Sequence, residues 1–208
     1  MSSGIDPHTR WTEISSGHGG AAAYQKLFDD LEESGVDIHG EARFVASLVA
    51  PPARVLDAGC GTGRVAIELT RLGFHCVGVD SDLDMIEHAR RRGPGAHFVH
   101  QDLTELYLRS QAFDLAVLAG NVVPLLAPGT LNRALERLAA HVQPEGLLVA
   151  GFGLDAAHLP PNVQVTTLAA YDRACSAAGF SLAERYASWD RERFTEGAGY
   201  AVSVHRRG

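Results

Sequence analysis

The run Val55-Leu56-Asp57-Ala58-Gly59-Cys60-Gly61-Thr62-Gly63-Arg64 sets alternating glycines between a short apolar segment and a helical pattern. Glycines at 59, 61 and 63 permit a tight turn and let a ligand come close to the backbone. The helix opening at Arg64 offers free N–H groups and a positive dipole end, suited to a carboxylate or phosphate. Asp57, just before the turn, changes that choice: a carboxylate there repels a pyrophosphate and attracts an ammonium group. The spacing is G-x-G-x-G, whereas the dinucleotide fingerprint G-x-G-x-x-G needs glycine at 64, where Arg64 stands. The expected ligand therefore carries both an amine and a carboxylate, bound by Asp57, Gly59, Cys60, Gly61, Gly63 and Arg64. The competing reading is an ordinary tight turn, and the acid before it weighs against that.

Two further acids follow. Val77-Gly78-Val79-Asp80 ends a second strand pattern 21 residues past Gly59. An acid about 20 residues beyond a glycine turn receives ribose hydroxyls in nucleotide-binding folds; a helix cap is the alternative role. Asp102, in His100-Gln101-Asp102-Leu103, stands where a carboxylate can accept from the exocyclic amine of an adenine, or make an Asx turn. An amine beside a carboxylate describes the methionine end of S-adenosylmethionine.

The elements that must position these groups read as strand, turn, helix, repeated. Strands are expected at Arg54–Asp57, Phe74–Asp80, Ala96–His100, Phe113–Ala119 and Glu145–Phe152, with helices at Arg64–Leu72, Leu83–Arg92 and Thr167–Ala178. Pro128 suits the first turn of another helix, whose stripe Leu131, Leu135, Leu138, Val142 runs to Pro144. Such alternation implies an open parallel sheet covered on both faces. Ser181–Trp189 and Tyr200–His205 instead alternate apolar and polar across a short loop, an antiparallel pair at the sheet edge. Before Pro51-Pro52 the pattern is helical: Tyr24, Leu27, Phe28 and Leu31 share one face, and Glu41–Val49 forms a second short helix. Residues 1–50 are expected to be a helical cap or lid and residues 51–208 the ligand-binding core.

Composition narrows the class. The 208 residues, 46% hydrophobic and 21% charged, fit one folded domain. A formal net charge of −7 argues against sequence-independent binding of a nucleic-acid backbone. No apolar run approaches the roughly 18 residues of a membrane helix, and Met1–Gly20 is polar, with no secretory pattern. Cys60, Cys76 and Cys175 form neither a disulfide framework nor a metal-binding pair, which fits the cytoplasm. The histidines show no metal spacing.

These segments together resemble the class I S-adenosylmethionine-dependent methyltransferases, in style the small-molecule enzymes of the methyltransferase-domain-25/11 kind. Leu56–Gly63 is similar to the family's first motif. Val79-Asp80-Ser81-Asp82-Leu83-Asp84-Met85 is similar to the next, which implies Asp80 and Ser81 at the ribose and Met85 beside the adenine. Gln101-Asp102-Leu103 resembles the adenine motif, and Phe113–Val117 through Ala119, Asn121 and Val122 the fourth. The resemblance covers about 53–153 and implies an α/β fold: a Rossmann-like, doubly wound, mostly parallel seven-stranded sheet with an antiparallel C-terminal hairpin and an N-terminal helical cap. It implies S-adenosylmethionine as donor, S-adenosylhomocysteine as product and a small-molecule acceptor, with no nucleic-acid or membrane partner.

Methyl transfer displaces an already activated leaving group, so proximity and orientation carry much of the demand. A base is needed only when the acceptor is still protonated. The exit Ala119-Gly120-Asn121-Val122-Val123-Pro124 lacks the acidic or asparaginyl dipeptide with paired proline and aromatic residue that similar base-methylating enzymes carry. Asn121 is expected to line the reaction centre, or else to cap a helix. His158, with Asp155 in the loop after the fifth strand, is the candidate base, or a solvated histidine. Trp11 and Tyr24 are the lid aromatics expected to face donor or acceptor, with plain packing as the alternative, and the cap is expected to control the acceptor more than the donor. Two other functions stay open: a non-catalytic module that senses S-adenosylmethionine, and an NAD(P)-dependent oxidoreductase, against which the glycine spacing and Asp57 speak.

Overall fold

Seven strands build one sheet in the computed structural model, which describes Trp11 and residues 19–109 and 112–208. Apart from Trp11, the reading of residues 1–18 lies outside the described residues. The chain runs α1 (Gly20–Glu33), α2 (Gly40–Ala46), β1 (Arg54–Ala58), α3 (Arg64–Arg71), β2 (His75–Asp80), α4 (Leu83–Arg92) and β3 (His97–His100). After a 3₁₀ turn at Leu103–Glu105 come β4 (Phe113–Leu118), α5 (Val122–Leu125), α6 (Leu131–Ala139), β5 (Val142–Gly153), α7 (Leu168–Ala177), β6 (Phe180–Tyr186) and β7 (Tyr200–Arg207).

The order across the sheet is β3-β2-β1-β4-β5-β7-β6. The first five strands are parallel, and β7 pairs antiparallel with both β5 and β6. The winding reverses between β1 and β4, which opens a crevice outside their carboxyl ends. The period of two along each strand feeds two cores. Val55, Leu115, Val149 and Val202 join α2, α3 and α4 on one face. Leu56, Ala116, Leu148 and Phe152 join α6 and α7 on the other.

Four local expectations shift. The α6 stripe ends at Ala139, where the ring of His141 plugs the helix end: its Nε2 accepts from Leu108 N–H at 2.9 Å and its Nδ1 lies 2.7 Å from the Arg137 carbonyl. Val142, in phase with the helix, already opens β5 opposite Phe113. Pro128 lies before that helix, whose N-cap is Thr130. On α1, Leu27 faces outward while Ala21 and Gln25 are buried, because the Gln25 side-chain oxygen accepts from the buried Thr62 hydroxyl. In the hairpin, β6 ends at Tyr186, and Trp189 leaves the strand to pack edge-on against Phe44, its indole N–H bonded to the Tyr200 hydroxyl at 3.2 Å.

Candidate functional site

A cavity of about 320 Å³ opens at the switch point, walled by the exits of β1, β2 and β4 and roofed by α1 and Trp11. The glycine turn supplies Gly59 and Gly61; the exit of β2 supplies Asp80 and Ser81, with Met85 from α4; and Asp102 and Leu103 follow β3. Ala119, Asn121 and Val122 follow β4. Ten of the residues singled out in these segments thus meet at one place.

The turn is drawn tight against its neighbours. Gly59 and Cys60 both donate to the Val79 carbonyl, at 2.8 and 3.0 Å, which ties the turn to β2. Gly59 has φ +79°, and a Cβ there would lie 2.5 Å from Val122 Cγ2. Only glycine fits, and the two strand exits close on each other there. The other members of the motif lie behind the cavity wall. Gly63 caps α3 and abuts Phe98. Cys60 is buried, and burial raises its thiol pKa. Asp57 is 1% exposed beneath the turn, accepting from Ala66 N–H at 3.0 Å; removal from water pushes its carboxyl up to about 7. The guanidinium of Arg64 turns away from the cavity, onto Glu41 of α2.

Asp80 points into the site and holds two backbone amides, Gly61 N–H at 2.8 Å and Asp82 N–H at 2.9 Å. Its surroundings raise its pKa, chiefly by desolvation. The helix-capping role belongs to the neighbouring Asp82, which accepts from Asp84 and Met85 N–H. Asp102 makes the Asx turn, one oxygen accepting from the Thr104 amide at 2.7 Å, and the residue also lines the cavity.

Tyr24 lies over the turn. A Cβ on Gly61 would be 3.5 Å from its ring edge, and one on Gly120 3.9 Å from its hydroxyl, so the phenol spans the exits of β1 and β4. Desolvation by burial raises its pKa and keeps it a neutral hydrogen-bond donor. Trp11 packs edge-on against Tyr24, with centroids 5.3 Å apart, and donates its indole N–H to Asp82 at 3.0 Å. Trp11 and Tyr24 are therefore seated against the segments that carry Gly61 and Asp80.

Asn121 takes the left-handed conformation, φ 67°, and does not cap the helix it precedes. Its oxygen accepts from Gly153 N–H at 2.7 Å, and its amide donates to the His158 carbonyl at 3.2 Å, tying the exit of β4 to the loop after β5. In that loop His158 Nδ1 donates to Asp155 at 2.7 Å, which lowers the Asp155 pKa. The His158 ring is half exposed and packs against Gly199. It stands beside the cavity, which Pro160 and Asn121 line and His158 does not.

Sequence reasoning missed Phe28, Leu125, Leu126 and Pro160 in the cavity wall, and Gln25 and Glu41 behind it. Only Gln25 carried a signal, a polar residue amid the small and apolar residues of an amphipathic helix. Among the described residues no group of histidines, cysteines and acids could hold a metal ion, and no helix is long and apolar enough to cross a membrane.

A family described as "Methyltransferase domain" matches residues 55–146. The crystal structure of a TehB-like SAM-dependent methyltransferase from Corynebacterium glutamicum superposes with a TM-score of 0.81 at 30% identity, over 90% of this chain and 98% of that one. SAM-bound CalS10, an amino pentose methyltransferase from Micromonospora echinaspora, shares the fold, with a TM-score of 0.66 at 24% identity over 88% and 97% of the two chains. A dTDP-3-amino-3,6-dideoxy-alpha-D-glucopyranose N,N-dimethyltransferase of Streptomyces fradiae is 33% identical over 129 residues, 60% of this chain and 51% of that protein. The chain spans about half the length of the curated relatives it matches.

Proposed function

Since this chain belongs to the class I S-adenosylmethionine-dependent methyltransferases, we propose that it transfers a methyl group from S-adenosylmethionine to a small molecule and releases S-adenosylhomocysteine. The observation that carries this reading is the cavity at the switch point, with the glycine turn on one wall and Asp80 and Asp102 on the other. The residues present fit that donor. Gly59 and Gly61 offer bare backbone to an amino-acid end, Asp80 an acceptor to ribose hydroxyls, Met85 and Leu103 apolar faces to a purine, and Asp102 an acceptor to its amine. When bound, the sulfonium supplies an electrophilic methyl group. The protein's part is to place a nucleophile in line with it and keep water away. Tyr24, Asn121 and Gly120, between the exits of β1 and β4, would bound the reacting space. The Asp155–His158 pair would take the proton of an acceptor that arrives protonated, with Asp155 holding Nδ1–H so that Nε2 is the basic nitrogen. Relatives acting on amino sugars support a small, soluble acceptor, and three unpaired, buried cysteines suit the cytoplasm.

The test is thermal unfolding with S-adenosylhomocysteine. A ligand at 100 times its Kd stabilises the native state by about 2.7 kcal/mol. A rise in melting temperature with S-adenosylhomocysteine and none with NAD(P) is expected; the reverse would assign an oxidoreductase. Turnover of labelled donor on a panel of small amines, alcohols and thiols separates an enzyme from a sensor.

A further inference from the structure

The polar side chains on the turn beside Gly63 do not serve the cavity; they serve the cap. The Thr62 hydroxyl, 1% exposed, donates to the Gln25 side-chain oxygen of α1 at 2.6 Å. Gln25 is itself 3% exposed and bonded at both ends of its amide: Arg92 donates to the same oxygen at 2.9 Å, and the nitrogen donates to Asp29 at 2.6 Å. Two residues on, Arg64 grips both oxygens of Glu41 at 2.8 and 2.5 Å, donates to the Ile38 carbonyl, and lays its guanidinium 4.6 Å from the Phe28 ring centroid. The turn thus carries a latch on each side of Gly63, one to α1 and one to the α2 segment. Between and beside the latches, Gly61 and Gly63 sit at φ +52° and +82°, in a stretch with little stiffness of its own.

We propose that Gln25, Thr62, Arg64 and Glu41 are positioning residues for the donor turn, so that docking of the cap and binding of the donor are one coupled equilibrium. Undocked, the buried amide and hydroxyl regain water and the glycines regain their freedom; docked, the turn is held in the shape that faces the cavity. A donor that needs that shape binds the latched form better. By reciprocity it holds the cap down by the same factor. The cap, expected from the sequence to govern the acceptor, would govern the donor as well.

This rests on the donor reading above, and a double-mutant cycle separates the two. S-adenosylhomocysteine affinity is measured by calorimetry on the full chain for wild type, Gln25→Leu, Thr62→Val and the double variant, with unliganded melting temperatures alongside. Each single change is expected to weaken binding about tenfold, and the double variant to lie within about threefold of the weaker single, since the Thr62–Gln25 bond is already lost in each. Thr62→Ser keeps the hydroxyl and should bind within about threefold of wild type. Should Gln25→Leu fail to fold, Glu41→Gln breaks the second latch from outside the cavity and is expected to weaken binding likewise. Unchanged affinity in the single variants, whatever their melting temperatures, makes the latch ordinary packing and overturns the proposal. So does a double variant whose loss is the product of the two. A wild type that binds no S-adenosylhomocysteine overturns the donor reading itself, and this inference with it.

Discussion

Asp57→Asn should make the unliganded protein more stable at neutral pH while weakening its hold on the donor. Asp57 is buried under the glycine turn with one backbone partner, Ala66 N–H, and burial lifts its carboxyl from 3.8 to about 7. At about 1.4 kcal/mol per pH unit, holding that charge away from water costs the native state about 4 kcal/mol above pH 7. The sign follows from proton binding. Between pH 3.8 and about 7 the folded chain keeps a proton that the unfolded chain has lost. The contribution of Asp57 to stability is therefore greatest below pH 4 and falls as pH rises through 7. Asparagine keeps an oxygen for Ala66 N–H but buries an unpartnered amide, at about 1–3 kcal/mol. The net gain should be about 1–3 kcal/mol at pH 8, vanishing or reversing near pH 4. Urea unfolding of both proteins from pH 4.5 to 8 measures this, and the difference between their stability curves is the quantity to read. Equal loss of stability in the variant at both ends of the range would show that the carboxylate bears no burial cost, and would refute the reasoning. Affinity for S-adenosylhomocysteine should fall about tenfold at pH 8, where a charged carboxylate behind the turn attracts the ammonium group.

Four other substitutions have expected outcomes. Gly59→Ala forces a Cβ to 2.5 Å from Val122 at a left-handed φ; it should lower the melting temperature by several degrees and weaken S-adenosylhomocysteine binding at least about tenfold by calorimetry. Trp11→Phe keeps the ring against Tyr24 but loses the bond to Asp82; an affinity loss of about 1 kcal/mol is expected. A change in tryptophan fluorescence on donor binding is expected in the wild type, since Trp11 lines the cavity and Trp189 does not, and it should vanish with the substitution. His158→Ala should leave donor affinity unchanged and lower the rate on acceptors that must lose a proton by about 10²-fold or more, while leaving the rate on thiolates nearly intact. Asp155→Asn should weaken the base without removing it, which the pH–rate profile reads.

Local features were legible. The glycine turn, Asp80 and the strand–helix alternation each depend on residues within one supersecondary unit, where spacing alone sets geometry. Features made by distant partners were hidden. Val142 keeps the helical phase of Leu138, and only the His141 plug and the pairing with Phe113 turn it into a strand. Leu27 satisfies the α1 stripe, yet the face that turns inward is set by Gln25 meeting Thr62, 37 residues away. The Arg64 side chain follows the glycine turn in sequence but bonds to α2, because Glu41 presents both carboxylate oxygens to its guanidinium, 23 residues away in sequence. Asn121 was placed at the site by its strand exit, but its bonds to Gly153 and His158 depend on how close β4 and β5 come, which spacing does not encode.

The place of β7 between β5 and β6 bears on how the molecule comes into being on the ribosome. Strands β3, β2, β1 and β4 pair among themselves, so the four of seven strands that carry the glycine turn, Asp80 and Asp102 can assemble while later residues are still being made. β5 then waits with one edge open across α7 and β6, until Val202, Ser203 and Val204 arrive to pair with Gly151, Ala150 and Val149. Pairings across so many residues close slowly, and an apolar strand with an unpaired edge invites the wrong neighbour. The nascent chain is thus most exposed to aggregation after its first four strands have formed, and a chaperone that covers β5 during that interval would protect the whole sheet.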